Sequence, residues 1–217
     1  MIFDEFHERN IHSDLGLALC LESFEALRDD LRILIMSATM DVTTISSLIG
    51  KAPVIVSKGK SYSVKTIYVP PVNKQGRAVP IEAAVATTVH RALLETHGDM
   101  LVFLPGLKEI KQLASILAND QDKSVRIIPL YGQLSQMDQI KAFSHLEKGT
   151  RKIVLSTSIA ETSITIPGIQ VVIDSGLMRV PKFSPQTGMT RLETIAVSKA
   201  SADQRRGRAG RTADGVC

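Results

Sequence analysis

The sequence predicts an α/β fold built on parallel sheets, and three observations carry that reading. Short apolar runs at 33–36, 54–56, 100–104, 125–128, 152–155 and 171–173 alternate with stretches of helical periodicity. Most of the runs are apolar at successive positions, as strands are when both faces of a parallel sheet are covered. The alternation itself is the pattern of βα units, which stack into layers.

Each element has its own signal. Residues 1–3 read as the tail of a strand, so the first piece is expected to be part of a domain. Leu17, Leu21, Phe24, Leu27 and Leu31 recur at helical spacing behind Ser13 and Asp14, which predicts a helix capped there. Residues 33–36 form the next strand, and a further helix starts near Asp41. A seam is predicted near 59–61, dividing the chain into 1–59 and 60–217, with a polar, Pro-containing stretch at 70–76 after the run 64–69. Pro80 suits a first helical turn, with Val85, Val89 and Leu93 on one face and Gly98 as the stop. Leu107, Ile110, Leu113 and Leu117 make another helical face. Ser135 with Asp138 signals a helix start before Ile140, Phe143 and Leu146. Residues 176–195 have turn signals at 184–188 between two β-prone flanks, a hairpin with a longer loop. Ser201 reads as the cap of a last helix.

Composition excludes several classes. With 217 residues, 44% hydrophobic, the chain can bury one sizeable core or parts of two. A net charge of +4 permits an acidic partner without demanding one. Two cysteines, Cys20 and Cys217, exclude a disulfide framework and fit a reducing compartment. No apolar run approaches membrane-spanning length. Asp4 and Glu5 near the start predict no signal peptide. No tryptophan and 4% aromatic residues argue against an aromatic stacking platform.

Four segments carry residues suited to chemistry, each following a predicted strand or cap. Asp4-Glu5-Phe6-His7 places two carboxylates where α/β sheets put their ligands. One could hold a hydrated Mg²⁺ and the next orient or deprotonate water; the plainer reading is a solvated acidic turn. Ser37-Ala38-Thr39 can bond across to neighbouring loops or merely cap the next helix. The Ser/Thr-rich stretch 156–166 could contact phosphates, ribose or an RNA backbone, or be loop padding. Gln204, Arg208 and Arg211 fall at i, i+4 and i+7, one face if the segment is helical, and arginine forks match phosphate oxygens. Gly207 and Gly210 are poor helix formers that permit close backbone approach. The alternatives are a Ser201–Gln204 capping box and a plain basic patch for nucleic acid. Two likenesses fail on spacing. Gly59-Lys60-Ser61 lacks the earlier glycine of a phosphate loop, since residue 54 is Val54, and His7 and His12 are one residue too far apart for a zinc helix.

Taken in order, these segments are specific. The chain resembles superfamily 2 helicases of the DEAH-box class, in particular the bacterial HrpB-type ATP-dependent helicases, over essentially its whole length. The matching text is 2–9 around Asp4-Glu5-Phe6-His7, 36–41 around Ser37-Ala38-Thr39, Val102-Phe103-Leu104-Pro105-Gly106, Ile159-Ala160-Glu161-Thr162-Ser163, and 204–211. Phe6 stands where the class carries alanine and marks the subfamily.

The resemblance implies RecA-like layers. Residues 1–59 would be the C-terminal half of a first RecA-like domain. Residues 60–217 would be a second one of the helicase C-terminal type, truncated at its end and with an inserted hairpin. It implies ATP and Mg²⁺ as cofactors, single-stranded nucleic acid (RNA) as partner, 3′-to-5′ movement, no membrane association and a cytoplasmic location. By matching positions, Asp4 would hold the Mg²⁺ shell, Glu5 would activate the attacking water, and His7 would link the site to the opposite domain through Gln204. Gln204, Arg208 and Arg211 would face the terminal phosphates, the arginines as fingers. Ser37, Thr39 and Thr165 would couple hydrolysis to movement, and Thr157, Ser158 and Arg179 would meet the nucleic acid. Ser158 and Pro167 depart from the family's usual Asn and acidic residue. The chain contains no phosphate-binding loop, so it is expected to be a fragment inactive alone. A non-catalytic nucleic-acid-binding or interaction module is the alternative.

Overall fold

The computed structural model describes residues 1–37, 42–57, 59, 62–72, 76–119, 124–144, 146–147, 149–161 and 165–217. They form two compact units, Met1–Gly59 and Lys60–Cys217.

In the first unit, β1 (Ile2–Phe3) leads through a short 3-10 turn, Phe6–Glu8, into α1 (Ile11–Ala26), followed by β2 (Leu34–Ile35) and α2 (Val42–Leu48). β1 and β2 pair in parallel. α1 starts two residues ahead of the predicted cap. Asn10, extended and among the best N-cap residues, accepts from the His12 N–H at 2.9 Å. Leu27 is already the C-cap, so Leu31 lies beyond the helix. The predicted strand at 54–56 does not form. Ile55 is 95% exposed, and an apolar run without a neighbouring strand has no ladder to join.

The second unit runs β3 (Val64–Lys65), α3 (Ile81–Glu95), β4 (Asp99–Phe103), α4 (Leu107–Ala118), β5 (Val125–Leu130), α5 (Gln136–Phe143), β6 (Arg151–Ser156), β7 (Ile169–Asp174), β8 (Leu177–Ser184), β9 (Met189–Ala196), α6 (Lys199–Gly207) and β10 (Gly215–Val216). Six of these strands make one parallel sheet in the order β3-β10-β7-β4-β6-β5. β4 sits at its centre, and its side chains alternate between two cores. Met100, Val102 and Leu104 pack with Val85, Val89, Ile110 and Leu113 on one face. Leu101 and Phe103 pack with Ala142, Val154, Val172 and Ala209 on the other. Covered faces on both sides explain the unbroken apolar runs.

Side chains close the helix ends. Ser135 caps α5 by accepting from the Asp138 N–H at 3.2 Å, as its sequence signal predicts. Pro80 is the residue before α3. Beyond the C-terminus of α3, Arg151 donates to the carbonyls of Leu93, Thr96 and Gly98 at 2.9 to 3.0 Å. Lys152, 1% exposed, donates from Nζ to Ala142 O and Ser144 O at the end of α5, with Asp99 Oδ2 3.8 Å away. Burial pushes the Lys152 ammonium below its usual range, and Asp99 pulls it part of the way back.

β8 and β9 form the antiparallel hairpin, paired from Leu177↔Ala196 to Ser184↔Met189. Its strands are longer than the sequence signals, and its turn closes with Gly188 N–H on Ser184 O at 2.9 Å. No helix among the described residues is long and apolar enough to cross a membrane.

A groove of roughly 330 Å³ is lined by Tyr68, Val85, Val172, Asp174 and Cys217, among others. Burial, reinforced by the Asp174 carboxylate, raises the Cys217 thiol from 9.0 to about 11. A raised thiol pKa leaves about one thiolate in a hundred at pH 9. Alkylation of Cys217 by iodoacetamide is therefore expected to be slow at pH 8 and to rise about tenfold per pH unit up to pH ~11. Peptide mapping of the reacted chain checks this; a rate that levels off near pH 9 would contradict it.

Candidate functional site

In the first unit, Ile2 lies beside Leu34 and Phe3 beside Ile35, so the segments after both strands leave from one sheet edge. Asp4-Glu5 follows β1 and Met36-Ser37 follows β2. The Phe6 N–H donates to Met36 O at 3.1 Å and ties the two segments together. Glu5 takes the left-handed conformation (φ 51°, ψ 37°), uncommon for a residue with a Cβ. Phe6 anchors that turn. It is 3% exposed, meets Phe3 edge to face at 6.2 Å, and has the Arg9 guanidinium 5.9 Å from its ring centre. Phe6 is thus the buried anchor of the turn that carries the two carboxylates. Asp4 Oδ1 accepts from the Glu5 N–H at 2.8 Å. His7 Nε2 lies 3.5 Å from Glu5 Oε2, with the His7 side chain 6% exposed. Asp4, Glu5 and His7 are therefore gathered on one turn. Ser37 is exposed at the neighbouring strand end, and Thr39 lies outside the described residues.

In the second unit the candidates gather where β6 and β7 end and α6 packs. Thr157 follows β6 and donates its N–H to Leu130 O at 3.4 Å; Ser158 begins a 3-10 turn and is exposed. Arg208 and Arg211 do not extend a single helical face, contrary to the i, i+4, i+7 expectation. α6 ends at Gly207 and Arg208 is its C-cap. The chain then winds more tightly, with N–H bonds three residues back from Arg208, Ala209 and Gly210. Gly210 is needed there because a Cβ would stand 2.8 Å from Tyr62 O and 2.7 Å from Val64 Cγ2. The tightened turn aims both arginines at the segment after β6. Arg208, 9% exposed, donates from Nη2 to Glu161 O, and Arg211 donates from Nη1 to Thr165 Oγ1. Gln204 is half-buried on α6.

Ser201 is not the helix cap. Ser198 is, accepting from the Ser201 N–H at 3.1 Å, and the Ser201 hydroxyl instead donates to Glu161 Oε1. The capping-box alternative for Ser201 and Gln204 therefore fails. Arg179 turns onto α4. It pairs with Glu109 Oε1 at 3.0 Å and lies over Gly106, where a Cβ would stand 2.4 Å from its Nη1. Its side chain is 31% exposed, and the Glu109 carboxylate already meets its charge.

Sequence reasoning missed the most buried arginine. Arg205 is 1% exposed, with Nε 2.8 Å from Glu161 Oε2, Nη1 2.8 Å from Asp174 Oδ1 and 3.3 Å from Leu177 O, and its guanidinium carbon 4.9 Å from the Phe103 ring centre. The available signal was the i, i+4, i+8 row Ser201, Arg205 and Ala209, all buried. Its carboxylate partners come from distant segments and left no local trace.

Residues 84–213, over half of the chain, match the helicase conserved C-terminal domain. The chain is 46% identical over its whole length to the ATP-dependent RNA helicase HrpB of Escherichia coli, and 39% identical to E. coli HrpA. It is 38% identical to the human probable ATP-dependent RNA helicase DHX34. It covers 26% of HrpB, 16% of HrpA and 20% of DHX34. A crystal structure of the E. coli DEAH/RHA helicase HrpB aligns with 99% of the chain at a TM-score of 0.87 and 46% identity, the chain covering 27% of it. The chain thus spans about a quarter of HrpB's length. On the domain match and the full-length likeness to HrpB, the chain belongs to the family of the helicase conserved C-terminal domain, among the DEAH/RHA helicases.

Proposed function

We propose that the chain is part of an ATP-dependent RNA helicase that converts ATP hydrolysis into 3′-to-5′ movement along single-stranded RNA in the cytoplasm. Residues 1–59 act as the later half of a first RecA-like domain and 60–217 as the second. The observation that carries this reading is the pairing of motif and place. The acidic turn stands at a parallel-strand edge, and Arg208 and Arg211 bond to the Ser/Thr segment after β6, inside a chain 46% identical to HrpB.

Phosphoryl transfer asks the protein for positioning and charge stabilisation rather than covalent chemistry. Glu5, presented on a rigid turn, orients the attacking water and takes its proton. His7 braces the Glu5 carboxylate from 3.5 Å. Arg208 and Arg211 offset charge on the transferred phosphoryl, Gln204 orients it, and Thr165 ties Arg211 to the RNA-facing segment of Thr157 and Ser158. Ser37 and Thr39 relay the state of the acidic turn. The donor set suits Mg²⁺: Asp4 is a hard-oxygen ligand with Oδ1 engaged by one N–H. Asp4 would hold the ion through its water shell, and the ion supplies charge neutralisation for the phosphates. Arg179 joins the nucleic-acid surface by setting the hairpin base rather than by a free charge, given its pairing with Glu109.

The 217 residues contain no Gly-x-x-x-x-Gly-Lys-Ser/Thr. The chain by itself is therefore expected to hydrolyse no Mg·ATP. The protein whose reading frame includes such a loop is expected to be an RNA-stimulated ATPase. Phosphate-release assays on both, with and without single-stranded RNA, test this. Turnover by the isolated chain, abolished by Glu5→Gln, would refute the first statement, and an unstimulated full protein would refute the second.

A further inference from the structure

Outside the residues already given roles, the described part of the chain holds one buried ionic cluster that joins three functional segments. Glu161, in the segment after β6, is its hub. Its side chain accepts from Arg205 and from the Ser201 hydroxyl, and its carbonyl accepts from Arg208. Arg205 extends the cluster to Asp174 and to Leu177 O, where the hairpin begins. Asp174 Oδ1 also accepts from the Gly176 N–H at 2.9 Å, fixing the turn into β8. One guanidinium therefore contacts the Ser/Thr segment, the hairpin base and, through its own helix, the stretch that carries Gln204, Arg208 and Arg211.

A buried ion cluster is a weak stabiliser, because the desolvation of its charges offsets their attraction. Well-packed apolar residues would serve stability as well. What the cluster supplies is direction: Arg205 and both its carboxylates are 1%, 11% and 13% exposed as side chains, so none can swing without breaking a charged contact. A displacement of the hairpin or of the segment 157–161 must be passed to α6 or break that contact. A rigid element biased from both ends is what coupling between two sites requires.

We infer that Arg205, held by Glu161 and Asp174, is a positioning residue that couples RNA engagement at the Ser/Thr segment and hairpin to the placement of Arg208. The inference rests on the helicase reading above and adds the strut that links its two halves.

The test uses the full protein carrying this chain, with Arg205→Lys and, as a gentler variant, Asp174→Asn. Asn keeps one oxygen acceptor for Arg205 and the Gly176 N–H while removing the charge, so it carries the test if Arg205→Lys does not fold. Steady-state ATP turnover is measured with and without single-stranded RNA, together with the KM for RNA and the Tm. Basal turnover is expected to change little, while stimulation by RNA falls about tenfold or more. The double variant is expected to lose no more than the worse single one. Parallel loss of basal and stimulated turnover with a falling Tm would mark a purely structural role and overturn the inference, as would unchanged stimulation in both variants. Wild-type protein that RNA does not stimulate would overturn the helicase reading and this inference together, an outcome distinct from the other two.

Discussion

Glu5→Gln in the full protein carrying this chain is expected to lower RNA-stimulated ATP turnover by about 10² to 10⁴-fold, the contribution of a positioned general base. The substitution keeps the shape of the side chain and removes its ability to take a proton. The turn is expected to survive it, because its anchors lie elsewhere: the Phe6 N–H on Met36 O, the Phe3–Phe6 ring contact and the Arg9 guanidinium beside Phe6. The bond from the Glu5 N–H to Asp4 Oδ1 likewise does not involve the Glu5 side chain. Binding of ATP and RNA should therefore hold while kcat collapses, the pattern of an interaction made in the transition state. Turnover above about a tenth of wild type would remove Glu5 from that role. Phe6→Ala should separate from this by weakening the turn, so that ATP binding falls along with kcat.

The parallel sheet was readable because its physics is local. A strand covered on both faces is apolar at most positions, and 100–104 and 152–155 are read correctly on that ground, Lys152 being the exception that carries its charge to the carbonyls at the end of α5. The same rule misreads 54–56, because an apolar run specifies a tendency to be covered and not the neighbour that covers it. Helix starts fail for a related reason. Several Ser, Thr, Asn and Asp residues compete within a few positions, and Asn10 and Ser198 win over Ser13 and Ser201 only once the incoming chain direction is set. At the site, residue types were legible and their orientations were not. The 204–211 stretch holds four arginines that look alike in sequence. Arg205 goes inside because Glu161 and Asp174, 44 and 31 positions earlier, converge beside it. Arg179 turns onto Glu109, 70 positions back, for the same kind of reason.

Phe103→Ala is expected to cost about 3 to 5 kcal/mol of stability, the range for emptying a buried aromatic site. Phe103 is 0% exposed at the end of the central strand β4, paired with Ser156 on one side and Asp174 on the other. Its carbonyl accepts from the Ser175 N–H at 3.1 Å, and its ring lies 4.9 Å from the Arg205 guanidinium carbon. Alanine thus opens a cavity in the second core and strips the aromatic face from a guanidinium that has no water to turn to, an interaction worth about 2 kcal/mol when desolvated. Phe103→Leu separates the two effects. Leucine restores most of the volume but no π face, and its cost is expected to fall to about 2 kcal/mol. Urea unfolding with unchanged m-values measures both. A leucine variant as stable as wild type would mean that the ring serves only as filling, and that the two carboxylates and the Leu177 carbonyl hold Arg205 without it. An alanine variant costing under about 1 kcal/mol would remove Phe103 from the core altogether.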